Sequence, residues 1–440
     1  MIRVAVVFVL IAASAVGVLA QENRLEKKVE GMNFKKYIGR PVTRITIQGN
    51  DVTKEFVIRR EIALEIGEPL TDEAAAKSVS NMMNLDIFSS VTVTPTLDGD
   101  GVAVDFDVNE MPWIIPYIKL KYNEENGWSV GPTVTAFNLA GRDIKLSAYA
   151  LFGGTTTFSF IGSWPWIVGN HLSLDLALEH LNRDDTLNEF EEDSYRFIPW
   201  IGTFIGESGR LRGSVGWFQM SSDSAGRTLD PDNTDDFFAV AGSIGYDTRD
   251  SWTNPHIGWH NELQIARIGG SGDWTQYIFD VRRYQPMWGK KHTLAMGGLV
   301  SHNTGEVGVD FPEYFMYRMG GANSIRGYVL DDLGRVLFGQ NQAILTFEYQ
   351  YLVMPFREYK VIKWPFRAGL QLAAFADYGT AWNNGQSLDG QAKFGAGIGA
   401  RPLLPGINML RFDFGVSEDG DVVFNFGVQT KFDAQRLRLR

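Results

Sequence analysis

The sequence predicts a small α+β domain followed by an all-β transmembrane barrel of about 16 antiparallel strands. Two observations lead to this fold class. Residues 41–111 mix strand-like and helix-like patterns, whereas residues 112–432 contain successive strand-like runs and no convincing amphipathic helix. Apolar residues alternate with polar and charged ones in those runs, as between Leu172 and Glu179. A soluble sandwich would not place charge on its core face, so the alternation favours strands between lipid and a polar lumen.

The composition excludes several classes of function. The formal net charge is −11, and phosphate binding needs a basic face, so we expect no nucleic-acid partner. The chain contains no cysteine, which excludes a disulfide framework and a thiolate metal site.

Residues 1–20 have the pattern of a cleaved export signal. Arg3 provides a positive start, an apolar stretch runs from Val4 to Val18, and small residues precede Gln21. This stretch is shorter than the ~20 apolar residues that span a bilayer, so a signal peptide is favoured over a membrane-anchoring helix. The polar residues 21–40 are assigned to a linker.

Residues 41–111 are predicted to form one compact domain. Thr53 and Thr71 are the expected N-caps of its two helices. In chain order the predicted elements are a strand over 43–48, a helix over 54–64, a helix from Thr71 to about Asn84, and strands over 90–94 and 101–108.

The second domain, residues 112–432, is predicted to contain the barrel, and residues 433–440 are assigned to a C-terminal tail. The strand-like runs cover 113–123, 128–137, 143–152, 155–163, 171–181, 194–204, 209–220, 236–247, 258–268, 273–285, 291–302, 341–353, 367–378, 393–401, 408–416 and 422–432.

The even number of strands fixes which connections lie outside. The first strand then begins, and the last strand ends, on the side of the membrane where the first domain lies. The connections after odd-numbered strands lie on the opposite side. These include the longest connections, at 182–193, 221–235 and 303–340. The inner connections near 248–257 and 354–366 are longer than the short turns typical of such barrels.

The longest outer connection carries an arginine that we expect to lie in the lumen. Strand parity places Glu348 and Asp377 on lumen faces, and both are predicted partners of Arg326. The planar guanidinium fork can bind a carboxylate through two parallel hydrogen bonds. The predicted tip of the loop is Ile325, Arg326, Gly327 and Tyr328.

Neighbouring residues support this interpretation. Gly327 would let the backbone turn tightly, and Tyr328 would pack beneath the arginine. Arg411 and Asp413 share a lumen face on the next-to-last strand.

The sequence favours no enzyme. The G-x-S-x-G match at residues 127–131 opens a strand-like run that no helix follows, so it is not the strand-to-helix turn of a nucleophile elbow. His256 and His260 are four residues apart, but no third ligand is near them, so a metal site is not favoured. We therefore expect no catalytic residue, no metal and no cofactor.

Several segments together resemble the BamA/TamA family of outer-membrane proteins, within the bacterial surface antigen superfamily. The segments ITIQGN, REI, GEPLT and DIFSSVTV resemble a POTRA domain, so the chain is similar to a short form with a single such domain over 41–111. The aromatic final strand, with Phe424, Phe426 and Phe432, resembles the family's C-terminal strand. The barrel segments that carry the resemblance are GGANSIRGY, FEYQYLVMP, FADYG, FNLAGRD and GYDTRDSWTNPHIG.

This resemblance implies a location and a function. The barrel would lie in the outer membrane of a Gram-negative-type bacterium, with the POTRA-like domain in the periplasm. That domain would bind extended chains by strand addition, and a weak seam between the first and last barrel strands would pass them on. The implied partners are unfolded outer-membrane or secreted polypeptides, outer-membrane lipid and other assembly components.

Two alternatives remain open. A two-partner-type secretion pore for a dedicated substrate would use the same fold and the same loop, but its cargo would leave through the lumen. A passive porin would have a constricting loop but would need no peptide-binding domain, so residues 41–111 disfavour it.

Overall fold

The computed structural model describes residues 36–123, 125–168, 172–206, 208–252, 254–289, 291–361, 364–386, 391–404 and 410–428. The predicted signal peptide 1–20, residues 21–35 of the predicted linker and the predicted tail 433–440 lie outside the described residues, as does Phe432.

The first domain is a three-stranded sheet with two helices. Its elements are β1 (Val42–Gln48), α1 (Glu55–Arg59), α2 (Asp72–Asn84), β2 (Phe88–Asp98) and β3 (Gly101–Glu110). The central strand is β3, which is parallel to β1 and antiparallel to β2. Its alternate side chains, Val102, Val104 and Phe106, are fully buried and belong to the same apolar cluster as Met82 of α2. The edge strands of this sheet are therefore β1 and β2.

The first helix is shorter than its predicted range of 54–64. It ends at Arg59, because the next backbone groups bond to α2: Ser78 Oγ accepts from Ala63 N at 2.9 Å, and Asn81 Nδ2 donates to the Glu61 carbonyl at 3.1 Å. Thr53 does not cap this helix, since Lys54 occupies the N-cap position.

The second helix begins and ends as predicted. The Thr71 hydroxyl accepts a hydrogen bond from Ala74 N at 3.1 Å, and the helix runs to Asn84. This cap satisfies one of the backbone donors that a helix leaves unpaired at its start.

The second domain is a 16-stranded antiparallel sheet, which confirms the predicted fold class and strand number. Its strands are β4 (Ile114–Asn123), β5 (Gly127–Leu139), β6 (Ile144–Gly153), β7 (Thr155–Trp164), β8 (Ser173–Asp185), β9 (Phe190–Ile205), β10 (Gly209–Ser222), β11 (Thr234–Asp247), β12 (Gly258–Gly270), β13 (Asp273–Pro286), β14 (His292–Asn303), β17 (Asn341–Val361), β18 (Trp364–Trp382), β19 (Lys393–Leu403), β20 (Leu410–Ser417) and β21 (Val422–Val428).

The connection between β14 and β17 contains short elements of its own. These are a 3-10 turn (Glu313–Phe315), the two-residue strands β15 (Tyr317–Arg318) and β16 (Phe338–Gly339), and α3 (Leu330–Leu333). The strands β15 and β16 pair with each other, so they form a separate two-stranded sheet and do not extend the barrel sheet.

The predicted long inner connection at 354–366 is wrong. The strands β17 and β18 continue to pair with each other as far as Val361 and Trp364. Two prolines, Pro355 and Pro365, lie in this stretch. They are tolerated because no third strand pairs beside them within the described residues: β14 stops pairing with β17 at Tyr351, and β19 pairs with β18 only from Gly369 onward.

Polar and apolar side chains alternate along the barrel strands, as the sequence predicts. On β13 the side chains of Asp280 and Arg282 are buried toward the lumen, while Tyr277 and Phe279 are exposed on the outer face. An apolar outer face and a polar inner face are what lipid and an enclosed lumen require. None of the helices in the described part of the chain is long and apolar enough to cross a membrane.

Candidate functional site

The loop of residues 304–340 fills part of the lumen. Its first half contributes Phe311, Tyr314 and Phe315 to an apolar cluster with the wall residues Phe237 and Trp274. The ring centroids of Phe237 and Phe315 are 5.8 Å apart, and those of Trp274 and Phe311 are 5.5 Å apart. Apolar packing of this kind ties the loop to the strands from β9 to β13.

The tip of the loop brings Arg326 against the opposite wall. Its Nε lies 2.7 Å from Asp377 Oδ2 and its Nη2 lies 3.0 Å from Asp377 Oδ1, so the guanidinium binds this carboxylate through two parallel hydrogen bonds. Its Nη1 lies 3.0 Å from Glu348 Oε2. The Arg326 side chain has 0% exposure, and a charge buried this completely is tolerated only when paired. The structure thus brings Arg326 together with Glu348 and Asp377, the two carboxylates that strand parity placed on lumen faces.

The network is larger than the sequence indicated. Arg326 Nη1 also lies 3.3 Å from Asp413 Oδ2, and Arg401 bridges Glu348 and Asp413 at 3.0 and 2.6 Å. Arg401 was not predicted. It could have been found from its parity with Gly397 and Gly399 on β19, because small lumen-facing residues leave room for a large side chain.

Arg411 belongs to the same site but contacts the loop backbone. Its Nη1 donates to the Ala322 carbonyl at 3.2 Å, and its Nη2 donates to Asn323 Oδ1 at 3.0 Å. The guanidinium of Arg411 thus binds the segment just before the tip, while its nearest carboxylate, Asp413, is 3.9 Å away.

Tyr328 does not lie beneath the arginine as predicted. The ring under Arg326 is Phe375, whose centroid is 3.4 Å from the guanidinium carbon, in a cation–π arrangement. Tyr328 instead donates its hydroxyl hydrogen to the Phe394 carbonyl at 3.1 Å and accepts from Glu418 N at 3.2 Å. It faces the outer ends of β19 and β20 because the chain reverses at Gly327, which has a φ of 103°.

Ile325 precedes the arginine and is fully buried. It belongs to an apolar cluster that joins the loop to the wall, with Tyr317, Met319, Leu333 and Leu337 from the loop and Ile344 and Ala381 from β17 and β18. The tip is therefore fixed by apolar contacts as well as by charge.

The first and last strands of the barrel form a seam. In the hydrogen-bonded order β4 and β21 stand at the two ends, and within the described residues no ladder joins them. The Phe426 ring of β21 lies 5.5 Å from the Trp128 ring of β5, measured between centroids. Phe424 contacts Phe414 of the adjacent strand β20 at 5.1 Å instead, and Phe432 lies outside the described residues. The seam therefore holds a side-chain contact on its outer face.

The two histidines that could have suggested a metal are engaged elsewhere. His260 Nδ1 lies 3.0 Å from Asp247 Oδ2, and His256 Nδ1 contacts the Thr293 hydroxyl. Among the described residues no group of three histidine, aspartate or glutamate side chains is arranged to hold a metal ion.

The fold and the site define an outer-membrane β-barrel protein with an N-terminal sheet-and-helix domain and a loop folded into its lumen. The model of the Omp85 superfamily domain matches residues 138–432, and that of the POTRA surface antigen variable number repeat matches residues 41–111. The chain belongs to the Omp85 superfamily. Its barrel lies in the outer membrane, and its POTRA domain faces the periplasm.

A curated relative supports the same family. The chain is 25% identical over 409 residues to the outer membrane protein assembly factor BamA of Nitratidesulfovibrio vulgaris, a match that covers 86% of this chain. The chain spans about half the length of that relative, since the match covers 48% of it.

Solved structures share the fold. BamA from Haemophilus ducreyi lacking POTRA domains 1–3 superposes with a TM-score of 0.56 at 17% identity, over 88% of this chain and 84% of that chain. CdiB from Acinetobacter baumannii superposes with a TM-score of 0.53 at 12% identity, over 88% and 72% of the two chains. At these identities the likeness shows the architecture alone.

Proposed function

We propose that the protein assists the insertion or translocation of client polypeptides at the outer membrane. In this proposal the POTRA domain binds extended chains and the seam between β4 and β21 passes them on. The proposed clients are unfolded outer-membrane or secreted polypeptides. Outer-membrane lipid and other assembly components are the further proposed partners, and we assign no catalytic role to the chain.

One observation carries the proposal: the sheet ends at β4 and β21 while a loop fills part of the lumen. A strand without a hydrogen-bonded neighbour presents N–H and C=O groups that an incoming strand can pair with. In the described residues both terminal strands have such an edge. The loop meanwhile occupies part of the space that a chain crossing the lumen would need. The unpaired strand edges of the wall therefore suit the passage of a polypeptide better than the partly filled lumen does.

The contacts of Arg326 support a structural role for the loop tip in this function. We propose that Glu348 and Asp377 hold the arginine so that the loop stays in the lumen beside β18, β19 and β20. Gly327 lies against β20, where a Cβ on that glycine would come within 2.7 Å of the Val416 carbonyl. The tip would therefore brace the strands next to the seam without taking part in any chemistry.

The POTRA domain supplies the proposed receiving surface. Its sheet order, β1-β3-β2, leaves β1 and β2 with one strand neighbour each. Main-chain pairing along such an edge binds extended segments with little regard to side chains, which suits a domain that handles many unfolded clients.

The experiment follows many outer-membrane proteins at once after depletion of this protein. A broad loss of folded barrels, restored by the wild-type chain, is the expected result. Loss of one secreted protein with normal barrel levels would favour a secretion pore, the second candidate, which uses the same fold. Unchanged levels of both classes would reject a role in polypeptide transport.

A further inference from the structure

Two of the periplasmic turns form hydrogen bonds to the POTRA domain that the loop and the seam do not explain. The first is the FNLAGRD segment, residues 137–143, which comprises the end of β5 and the turn to β6. The second includes Asp250, in the connection after β11. Both lie in segments that resemble the BamA/TamA family, and neither belongs to the lumen network.

The first contact is buried and continuous with the core of the POTRA domain. Phe137 is 7% exposed and belongs to the apolar cluster of Val57, Ile58 and Phe106, although it is part of barrel strand β5. Its N–H donates to the Trp113 carbonyl at 2.7 Å, just before β4 begins. The first barrel hairpin therefore shares a hydrophobic core with the POTRA domain.

Hydrogen bonds fix the orientation of this contact. Asn138 Nδ2 donates to the Thr53 hydroxyl at 2.8 Å, and Asn138 Oδ1 accepts from Asp143 N at 2.8 Å. Lys54 N donates to the Gly141 carbonyl at 2.9 Å. Both Thr53 and Asn138 are buried, so an unpaired polar group at either position would be destabilising.

The backbone of this turn also lies in direct contact with the backbone of the POTRA domain. Gly141 has a φ of 70°, a conformation that favours glycine, and a Cβ at this position would collide with the Val52 carbonyl of the POTRA domain. Any larger residue would push the two domains apart.

The second contact is exposed and small. Ser80 Oγ and Asn84 Nδ2 of α2 both donate to the Asp250 carbonyl, at 2.9 and 3.3 Å. Exposed hydrogen bonds exchange readily with water and add little net stability.

We propose that the FNLAGRD turn is a fixed joint that makes the POTRA domain and the β4–β5 hairpin one rigid unit, with the Asp250 carbonyl as a weaker, releasable second contact. Asn138, Thr53 and Gly141 are the positioning residues of this joint. The unit includes β4, which is one side of the seam. A polypeptide that binds the POTRA domain therefore acts on the strand at which the barrel is open, and this last step rests on the proposed function.

The test measures the position of the POTRA domain in the full chain. The chain has no cysteine. Spin labels at Glu73→Cys on α2 and Lys291→Cys at the β13–β14 turn therefore report a single distance. The wild-type joint should give one narrow distance distribution. Thr53→Val keeps the side-chain shape but removes the hydroxyl, and Asn138→Ala removes the amide; both should broaden the distribution.

Two controls match these changes. Thr53→Ser retains the hydroxyl and should keep the narrow distribution. The double variant Ser80→Ala/Asn84→Ala should broaden it less than Asn138→Ala does. A narrow distribution in both Thr53→Val and Asn138→Ala would overturn the joint, and so would a larger effect of the double variant.

Insertion of an unfolded barrel client into vesicles, measured with the same variants, tests the functional step. Thr53→Val should lower the insertion rate relative to Thr53→Ser while the barrel stays folded on a gel without heating. Equal rates despite a broadened distribution would overturn the coupling to the seam. Absence of insertion by the wild type would reject the proposed function and leave the distance result standing.

Discussion

The guanidinium of Arg326 binds the carboxylate of Asp377 through two hydrogen bonds of 2.7 and 3.0 Å, although 51 residues separate them in the chain. Asp377 also accepts the backbone N–H of Arg326 at 3.1 Å and the Thr346 hydroxyl at 3.0 Å. One carboxylate thus fixes both the side chain and the backbone of the loop tip. The position of the loop in the lumen depends on this carboxylate more than on any other acid in the network.

Removing the arginine should release the loop. Arg326→Ala leaves Asp377 buried without its charge partner, at a cost of about 3–5 kcal/mol where the site is dry. We expect lower heat resistance of the folded barrel on a gel and faster protease cleavage within 304–340. Arg326→Lys should fail to restore the wild-type values, because an ammonium group cannot form the planar two-bond contact. Wild-type heat resistance and cleavage in Arg326→Ala would contradict the role of the pairing.

The loop tip also requires a residue without a side chain on the strand that it contacts. A Cβ at Gly415 of β20 would collide with the Gly327 N–H and would come within 2.8 Å of the Arg326 carbonyl carbon. Gly415→Ala should therefore displace the tip and increase protease cleavage of the loop. Gly242→Ala is the matched control, because its Cβ would meet nothing closer than 3.9 Å. Equal cleavage of the two variants would show that the tip does not need this space.

The ring contact across the seam should slow its opening. Phe426 contacts Trp128 on the far side of the seam as well as Phe412 of β20, whereas Phe424 contacts Phe414 of β20. Truncating an aromatic partner removes about 0.5–1.5 kcal/mol of ring contact beyond the lost area. Phe426→Ala should raise hydrogen exchange in β4 more than Phe424→Ala does. The reverse order would argue against a closed resting seam held by this pair.

Acid should stabilise the POTRA domain through Glu61. Burial raises the pKa of Glu61 to about 7, although the neighbouring Arg60 acts in the opposite direction and Asp143 adds to the rise. The carboxyl contributes most when protonated, so this contribution is lost as the pH rises from about 4.5 through about 7, amounting to at most about 3 kcal/mol.

The substitution Glu61→Gln should remove much of this dependence and make the POTRA domain more resistant to urea at pH 8. The measurement is pulse proteolysis of the domain in the full chain at pH 5.5 and pH 8. The exposed Glu65→Gln is the matched control and should keep the wild-type pH dependence. Parallel curves for the two variants would contradict the role of Glu61.

Much of the fold could be predicted because the two faces of a barrel strand require different residue types at alternate positions. Charged and apolar residues alternate along β13, where Asp280 and Phe279 face opposite sides, so lumen and lipid faces could be read from parity. The same parity placed Glu348 and Asp377 in one lumen. Local capping chemistry also sufficed for α2, where Thr71 lies at the start of an uninterrupted helical run.

The parts that could not be predicted depend on neighbours distant in sequence. The hairpin continues through Pro355 and Pro365 because, within the described residues, neither β14 nor β19 pairs beside them. Thr53 had the residue type of a helix cap, but its hydroxyl bonds Asn138, which is 85 residues away. Tyr328 was expected beneath Arg326, a position that Phe375 of β18 occupies.

Site-specific photo-crosslinking to a client during insertion distinguishes passage through the seam from passage through the lumen. A photoreactive phenylalanine analogue replaces Phe426 at the seam in one chain and Tyr149, which lines the lumen on β6, in another. The client is an unfolded outer-membrane barrel arrested before release. We expect client adducts at Phe426 and none at Tyr149. Adducts at Tyr149 without adducts at Phe426 would place the polypeptide in the lumen and contradict passage through the seam.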